Sequence, residues 1–239
     1  MEVTMKTLEK LADHDHPLVI QTAKRLTEGL TTDREKLAAL FYYVRDDIKF
    51  QFVPKGDLVK ASELIELKQG QCNNKGTLYL ALARALGFPA RLHFSLVDKR
   101  IQRGLFTGII YKIMPDKISH CWTEVKVDGK WRNIDSYIND IDFYLAGKEI
   151  LKEEGWTMGW SIACSTGESS PEFNIDEERF VQMDAVTEDQ GLWDDPADYF
   201  MTDNYKNRPN KLKLLLYRMT LGKFNKKVKQ ARENYRAVN

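Results

Sequence analysis

The sequence predicts an α+β fold in which a helix that carries a cysteine packs on an antiparallel sheet that carries a histidine and an aspartate. Three observations indicate it. Apolar residues recur with helical period in several early segments, as in the run from Leu37 to Ile48. Apolar and polar residues then alternate from Ala90 onward. Finally, Asp128-Gly129 marks a tight hairpin between two further strands.

Length and composition favour one large globular domain. The chain has 239 residues, of which 43% are hydrophobic and 30% charged, as in folded rather than disordered proteins. Its 36 basic and 35 acidic residues leave a net charge of +1, which argues against a global attraction to nucleic acid. Charged residues interrupt the N-terminal segment from Met1 to Ile20, so it contains no apolar stretch typical of a secretory signal. No other apolar run approaches about 18 residues, the length of a membrane-spanning helix. We therefore expect a cytoplasmic protein that binds no nucleic acid.

Three helices are predicted before residue 70. The first is short, begins at Pro17 and ends at Gly29. The second begins after Thr32, which has capping-box spacing with the glutamate three positions later, and it ends near Asp47. The third is again short and ends at Gly70.

The next segment predicts the helix that carries the cysteine. Between Gly70 and Gly87, leucines recur on one face, alanines favour helix, and Gly87 followed by Pro89 ends it. Cys72 therefore lies at a helix N-terminus. There the positive end of the helix dipole favours the thiolate, so we expect a lowered pKa for this thiol.

The following segments read as strands. Leu92, Phe94 and Leu96 alternate with polar residues, and Ile109 to Ile113 is expected to form another strand.

The hairpin signal permits a prediction of register. If the Asp-Gly pair forms the type I′ turn, Val127 faces Lys130 on the partner strand. His120 and Asp135 are then diagonal neighbours on one face of the sheet. Such neighbours lie about 7–8 Å apart at the backbone, so an imidazole and a carboxylate can meet.

The C-terminal third divides by charge. Residues 168 to 203 carry 12 acidic side chains and one basic, whereas residues 206 to 236 carry 11 basic and one acidic. Asp195 and Pro196 favour the start of a short helix, and the stretch beyond Pro209 favours a longer basic one.

These features divide the chain into three parts. They are a core with its N-terminal helices at 1–150, an acidic, loop-rich extension of the same domain at 151–205, and a basic C-terminal helix at 206–239. We expect the basic helix to dock on the core, its charge neutralised by the acidic extension. Contact with a membrane surface or with nucleic acid is the less favoured interpretation of the same basic pattern.

Cys72, His120 and Asp135 supply the side chains that nucleophilic acyl transfer requires. The thiol needs a base to take its proton, and His120 is the candidate. Asp135 would orient the imidazole and stabilise the imidazolium.

The same chemistry needs donors for the tetrahedral oxyanion and a wall for the substrate. The backbone N–H of Cys72 is one candidate donor, and the carboxamide of Gln69 or Gln71 is another. Trp122 falls on the face of His120, where it either walls an acyl-binding groove or packs in the core; packing is the favoured interpretation.

The other cysteines carry no such chemistry. Cys121 lies on the opposite strand face from His120 and is expected in the core, and Cys164 is interpreted as structural or incidental. The odd number of cysteines and their spacing fit neither a disulfide framework nor the usual zinc ligand pairs. We therefore expect no metal and no cofactor.

A set of motifs, in this order and over roughly Thr32 to Asp140, resembles the transglutaminase-like superfamily. They are Tyr43-Val44-Arg45-Asp46-Asp47-Ile48, Lys60-Ala61-Ser62-Glu63-Leu64, Gly70-Gln71-Cys72, Leu82-Ala83-Arg84-Ala85-Leu86-Gly87-Phe88-Pro89-Ala90-Arg91, His120-Cys121-Trp122-Thr123-Glu124-Val125 and Asp128-Gly129-Lys130-Trp131-Arg132-Asn133-Ile134-Asp135. The resemblance implies a papain-like core with Cys72, His120 and Asp135 as its catalytic triad.

Two departures from the pattern are visible. Many relatives have alanine where this chain has Gly76, and an Asp-Pro pair where Ser136 follows the aspartate. Neither removes a reacting group. The chain also lacks a calcium loop and the paired zinc-binding cysteines of peptide N-glycanases, so we expect neither calcium activation nor that activity.

The activity that the resemblance implies is thiol acyl transfer on an amide bond of a protein or peptide, through a thioester on Cys72. Water as the second reactant makes the protein a cysteine peptidase or amidase-like hydrolase, and an amine makes it a transglutaminase. We favour hydrolysis because nothing in the sequence indicates a second groove for an amine. A non-catalytic binding or scaffolding module on the same fold is the alternative. An arylamine N-acetyltransferase is a second one, disfavoured because the arginine-glycine-glycine approach to the cysteine is missing.

Overall fold

The structure is a computed structural model that describes residues 8–165, 169–178, 180–208 and 211–238. Its first half consists mainly of helices. These are α1 (Pro17–Leu26), α2 (Asp33–Tyr42), which continues as a π-helical turn over Tyr43–Asp47, α3 (Ala61–Leu67) and α4 (Cys72–Ala85). Two short strands, β1 (Lys49–Phe50) and β2 (Gln69–Gly70), lie before and after α3 in the chain and pair with each other in parallel.

The starts and ends of these helices follow the sequence signals. Pro17 is the first residue of α1, and the Thr32 hydroxyl accepts a hydrogen bond from the Glu35 backbone N–H at 3.2 Å. At the end of α4, Gly87 adopts a φ of +85°, a left-handed conformation that glycine tolerates without a Cβ penalty.

A four-stranded antiparallel sheet packs against α4. It contains β3 (Ala90–Asp98), β4 (Lys117–Val127), β5 (Lys130–Ile134) and β8 (Val186–Trp193) in the spatial order β5-β4-β3-β8. The hairpin register is confirmed, since Val127 pairs with Lys130 and both turn residues have positive φ, +51° and +73°. The α+β fold with the cysteine helix on the sheet is therefore confirmed.

Close packing of α4 on β4 depends on Gly76. A Cβ at this position would lie 2.8 Å from the Sγ of Cys121 and 3.4 Å from the Tyr137 hydroxyl. The absence of a side chain there lets the helix approach the strand that carries His120.

The strand expected over Ile109 to Ile113 is wrong. These residues lie in a short helix, α5 (Gly108–Ile113), preceded by a 3-10 turn over Lys99–Gln102. Ile109 and Ile113 are four positions apart and both exposed, whereas Ile110 packs against the core. The β-branched residues suggested a strand, but no neighbouring strand is available to pair with them in the described part of the chain.

The remaining elements follow the sheet in the chain. They are α6 (Ile141–Glu153), the short strands β6 (Met158–Gly159) and β7 (Ile162–Ala163), a 3-10 turn over Met183–Ala185, α7 (Pro196–Phe200) and α8 (Lys211–Val238). As predicted, Asp195 caps the helix that begins at Pro196, accepting from the Ala197 N–H at 2.9 Å. No helix in the described ranges has both the length and the apolar character needed to cross a membrane.

Helix α8 packs on the core with Phe224, Val228 and Ala231, and polar side chains add specific contacts. Arg232 donates to both carboxylate oxygens of Asp140 at 2.8 and 2.5 Å, and Asn225 bonds the backbone N–H and carbonyl of Phe52, each at 2.9 Å. Among the described residues, the ion pairs of α8 are those of Arg232, of Arg236 with Asp142, and one within the helix. None of these pairs reaches the acidic extension that was expected to neutralise this helix.

Candidate active site

His120 and Asp135 meet inside the protein. Strand β4 carries His120, and Asp135 directly follows β5, so the hairpin register brings the two together. The Nε2 atom of His120 lies 3.2 Å from Oδ2 of Asp135, and both side chains are buried. The other ring nitrogen, Nδ1, is also buried and has no hydrogen-bond partner among the described residues. A carboxylate accepts the proton of Nε2, which leaves Nδ1 as the ring atom able to accept one.

Cys72 is the first residue of α4, the helix that packs on this strand. The neighbouring Asn73 donates from Nδ2 to the backbone carbonyl of Ser119 at 3.1 Å, one residue before His120. The Asp135 carboxylate is also close enough to affect the pKa of the Cys72 thiol. The structure thus brings Cys72, His120 and Asp135 into one region.

The pKa expected for Cys72 is wrong in direction. Burial raises the pKa of this thiol above its ordinary value, and the negative charges of Asp57 and Asp135 raise it further. Hydrogen bonding from the backbone N–H groups of Asn73 and of Cys72 itself lowers the pKa, but by less. In the unliganded protein the protonated thiol is therefore favoured, so a base has to take the proton as sulfur attacks.

A buried carboxylate beside Cys72 organises this region. Asp57 accepts four hydrogen bonds, from Gln71 Nε2 at 2.5 Å, Asn73 Nδ2 at 3.0 Å, the Tyr205 hydroxyl at 2.9 Å and Asn207 Nδ2 at 3.0 Å. We call these five residues the Asp57 cluster. All four donors are neutral groups, so the charge of Asp57 is solvated by dipoles rather than paired with a cation.

The Asp57 cluster connects the start of α4 with the strand that carries His120. Asn207 bonds both backbone groups of Ser119, donating to its carbonyl and accepting from its N–H, each at 2.9 Å. Asn73, next to Cys72, donates to the same carbonyl. The relative position of Cys72 and His120 is therefore held by direct hydrogen bonds. Sequence reasoning missed this cluster because Asp57 follows a lysine and a glycine, a pattern typical of a solvated turn.

The two glutamines considered as oxyanion donors differ in position. The Gln71 carboxamide donates to Asp57, and its Oε1 lies 3.4 Å from the Tyr217 hydroxyl. Gln69 pairs with Lys49 in the small parallel sheet. The backbone N–H groups of Cys72 and Asn73, at the start of α4, do interact with the sulfur, since their hydrogen bonding lowers its pKa.

Trp122 packs rather than lining an opening to solvent. Its Nε1 donates to Asn133 Oδ1 at 3.1 Å, and its ring centroid lies 4.4 Å from that of His93 and 6.5 Å from that of His120. His93 in turn bonds Glu124 with Nδ1, so it is a satisfied polar residue.

Cys121 is fully buried, and Cys164 is half-buried with its Sγ 3.0 Å from the Ser169 hydroxyl. In the described ranges, no group of three or more histidine, cysteine, aspartate or glutamate side chains could hold a metal ion.

Comparison with known proteins agrees with the motifs. The fold is α+β, with a cysteine at the start of a helix that packs on an antiparallel sheet. Residues 20–136 match the model of the Transglutaminase-like superfamily. No curated protein matches the chain.

Three solved structures are similar in part. The "Putative Cysteine Protease from Cytophaga hutchinsonii" is 15% identical over 80% of this chain and 46% of its own, with a TM-score of 0.48. A "Putative Protease from Parabacteroides distasonis" is 13% identical over 52% of this chain and 25% of its own, with a TM-score of 0.36. A structure named only as a TGase is 17% identical over 52% and 30%, with a TM-score of 0.33. This chain spans less than half the length of each.

Proposed function

We propose that the protein is a thiol hydrolase that cleaves amide bonds of peptides or proteins through a thioester on Cys72. The observation that supports this function is the arrangement of the His120 ring. Nε2 is engaged by Asp135, whereas Nδ1 is buried, unpartnered among the described residues and available as a base. Such a base is what a thiol with a raised pKa requires.

The proposed reaction has two halves. As the sulfur of Cys72 attacks the amide carbonyl, its proton passes to Nδ1 of His120, and Asp135 stabilises the resulting imidazolium. Backbone N–H groups at the start of α4 stabilise the oxyanion. The carbon–nitrogen bond then breaks, and the imidazolium protonates the leaving amine. In the second half His120 takes a proton from water, which attacks the thioester. This step releases the carboxylic acid and restores the thiol.

Peptide turnover by three proteins tests the proposal. The wild-type chain, Cys72→Ser and the control Cys164→Ser, which changes the other half-buried cysteine, are incubated with a diverse peptide library and the products identified by mass spectrometry. We expect Cys72→Ser to lose at least about a thousandfold in rate, since the residues of a triad act as a unit. Cys164→Ser should match wild type. Equal turnover by Cys72→Ser and wild type on a cleaved peptide would refute the assignment.

Two further outcomes separate the alternatives. Addition of hydroxylamine diverts a thioester to a hydroxamate, and a product that forms only with an added amine would indicate a transglutaminase rather than a hydrolase. A scaffolding module predicts no cleavage and no preference of an electrophilic peptide probe for Cys72 over Cys164.

A further inference from the structure

Cys72 lines an apolar groove. The groove has a volume of about 770 Å³ and runs between the loop that carries Asp57, helix α5 and the first half of α8. Its walls are mainly apolar side chains, among them Phe52, Phe106, Ile110, Ile113, Met114 and Phe224. A volume of this size exceeds that of a single side chain, so the groove accommodates an extended ligand.

The groove is open to solvent at several points. Three of its apolar lining residues, Leu58, Ile113 and Leu216, are exposed to solvent, and they come from three different segments of the chain. An open groove admits a chain that continues at both ends, whereas a closed tunnel would favour the free end of an aliphatic tail. Solvent-exposed apolar residues beside a nucleophile also indicate a surface that a ligand covers.

The rim of the groove is positively charged. Lys206, Arg208 and Arg218 line it, and the hydrogen bonds of their side chains go to backbone carbonyl oxygens. Within the described ranges none of the three has a carboxylate within 4.0 Å, unlike Lys55, which pairs with Glu63. The carboxylate of Asp57 is the acidic group among the described lining residues, and its hydrogen bonds are already made within the Asp57 cluster.

We propose that this groove binds a peptide segment in which a bulky apolar side chain lies next to an acidic one, beside the amide bond that Cys72 attacks. The inference rests on the function proposed above and names its substrate class. The apolar walls bury the large side chain, and the three basic residues attract the carboxylate. A neutral or basic peptide would leave these cations unpaired.

Peptide binding to Cys72→Ser tests the substrate class without turnover. Three fluorescent octapeptides of one backbone sequence are compared by anisotropy: one with Phe-Glu at its centre, one with Phe-Lys and one with Ser-Glu. We expect Phe-Glu to bind about fivefold to tenfold more tightly than Phe-Lys, as for partly exposed charge pairs. We expect it to bind about tenfold or more tightly than Ser-Glu, because the phenyl ring is buried.

Two matched pairs of variants locate the contact. Ile113 and Ile109 are both exposed on α5, at 47% and 70%, but only Ile113 is among the described lining residues. Ile113→Asp should therefore weaken Phe-Glu binding at least about fivefold, and Ile109→Asp should not. Arg218 and Lys226 are both exposed basic residues of α8, and only Arg218 is among the described lining residues. Arg218→Glu should lower the preference for Phe-Glu over Phe-Lys at least about twofold, since Lys206 and Arg208 remain, whereas Lys226→Glu should leave it unchanged.

The outcomes separate this inference from the proposed hydrolysis. Equal binding of the three peptides, or equal effects within either matched pair, would overturn the substrate class even if the wild-type chain cleaves peptides. Dodecanoate binding that responds to Ile113→Asp while Phe-Glu does not bind would overturn it in favour of a fatty acyl ligand. The expected binding pattern without cleavage by wild type would support the groove assignment and refute only the hydrolase.

Discussion

Two buried carboxylates, Asp57 and Asp140, illustrate two ways of keeping a negative charge inside this protein. Asp140 is paired with the guanidinium of Arg232 and also accepts from the Phe50 N–H at 3.1 Å. Burial raises its pKa, but these interactions with Arg232 outweigh that effect, so the net shift is downward. Asp57 has four neutral donors instead.

The difference determines where each charge acts. Arg232 cancels the field of Asp140 over a short distance, and the pair joins α8 to the start of α6. The charge of Asp57 has no such counter-ion within the described residues, and it reaches the neighbouring Cys72 and raises the pKa of its thiol. One carboxylate therefore stabilises the fold, whereas the other sets the electrostatics of the candidate active site. Breaking each in turn tests this distinction.

The largest effect is expected from Arg232→Ala. This change removes the guanidinium that bonds both oxygens of the buried Asp140 and leaves Lys49, with its Nζ 4.0 Å away, as a weaker partner. The loss costs about 3–5 kcal/mol of unfolding free energy. The control is Arg236→Ala, because Arg236 pairs with Asp142 on the same helix but is largely exposed, and it should cost about 1 kcal/mol or less. Urea unfolding of both variants measures the difference. Similar losses would show that the pair with Asp140 is no more than a surface ion pair.

A second prediction concerns Lys75, which is buried beside the Asp140 region and donates to the carbonyls of Arg45 and Ile138 at 3.0 and 2.8 Å. Burial lowers its pKa to about 7 from 10.5. Between these values the unfolded chain binds more protons than the folded one, so stability rises with pH. We expect a slope of up to about 1.4 kcal/mol per pH unit from pH 7 to 9.

Lys75→Met should flatten this slope whatever it does to stability at a single pH. The measurement is the unfolding free energy in urea at several pH values between about 7 and 8, because the thiols of Cys72 and Cys121 begin to titrate in the unfolded chain above this range. An unchanged slope in the variant would assign the pH dependence to other groups.

A third prediction concerns the contact of α4 with β4, between the two carboxylates. In Gly76→Ala the new Cβ meets the Cys121 sulfur at 2.8 Å, and such overpacking costs about 1–3 kcal/mol. In a Cys121→Ala background the obstacle is gone, and the higher helix propensity of alanine should make the same change neutral or stabilising by up to about 1 kcal/mol. A double-mutant cycle of thermal unfolding measures this coupling; additive effects would contradict the packing argument.

The sequence predicted those parts of the site that local patterns control. The turn at Asp128-Gly129 fixes the register of two strands, and this register brings His120 to Asp135. The parts it did not predict depend on distant contacts. Strand β8 is an edge strand with many exposed polar residues, so its alternation is weak.

The Asp57 cluster is the clearest case of a distant contact. Asp57 meets Tyr205 and Asn207 across 148 and 150 positions of the chain, and no local pattern encodes these pairs. The direction of the Cys72 pKa was missed for the same reason. The helix N-terminus was visible in the sequence, whereas the burial and the two carboxylates that outweigh it were not.

The smallest expected effect is the most informative about the candidate active site. Asp57→Asn removes the negative charge that raises the pKa of Cys72, while the side chain keeps nearly the same shape. The alkylation rate of Cys72 with iodoacetamide should therefore begin to rise at a lower pH than in wild type. The shift is best measured by mass spectrometry of the Cys72 peptide across pH 6 to 10, with Asp142→Asn as the control for a general loss of negative charge. The amide NH2 of the new asparagine is a donor, and it faces at least one of the donors that Asp57 accepted from. We therefore expect a loss of about 1–3 kcal/mol in unfolding free energy.

The two readouts differ in meaning. A loss of stability with an unmoved alkylation profile would make Asp57 a structural residue like Asp140, whereas a profile that moves to lower pH would show that its charge controls the nucleophile.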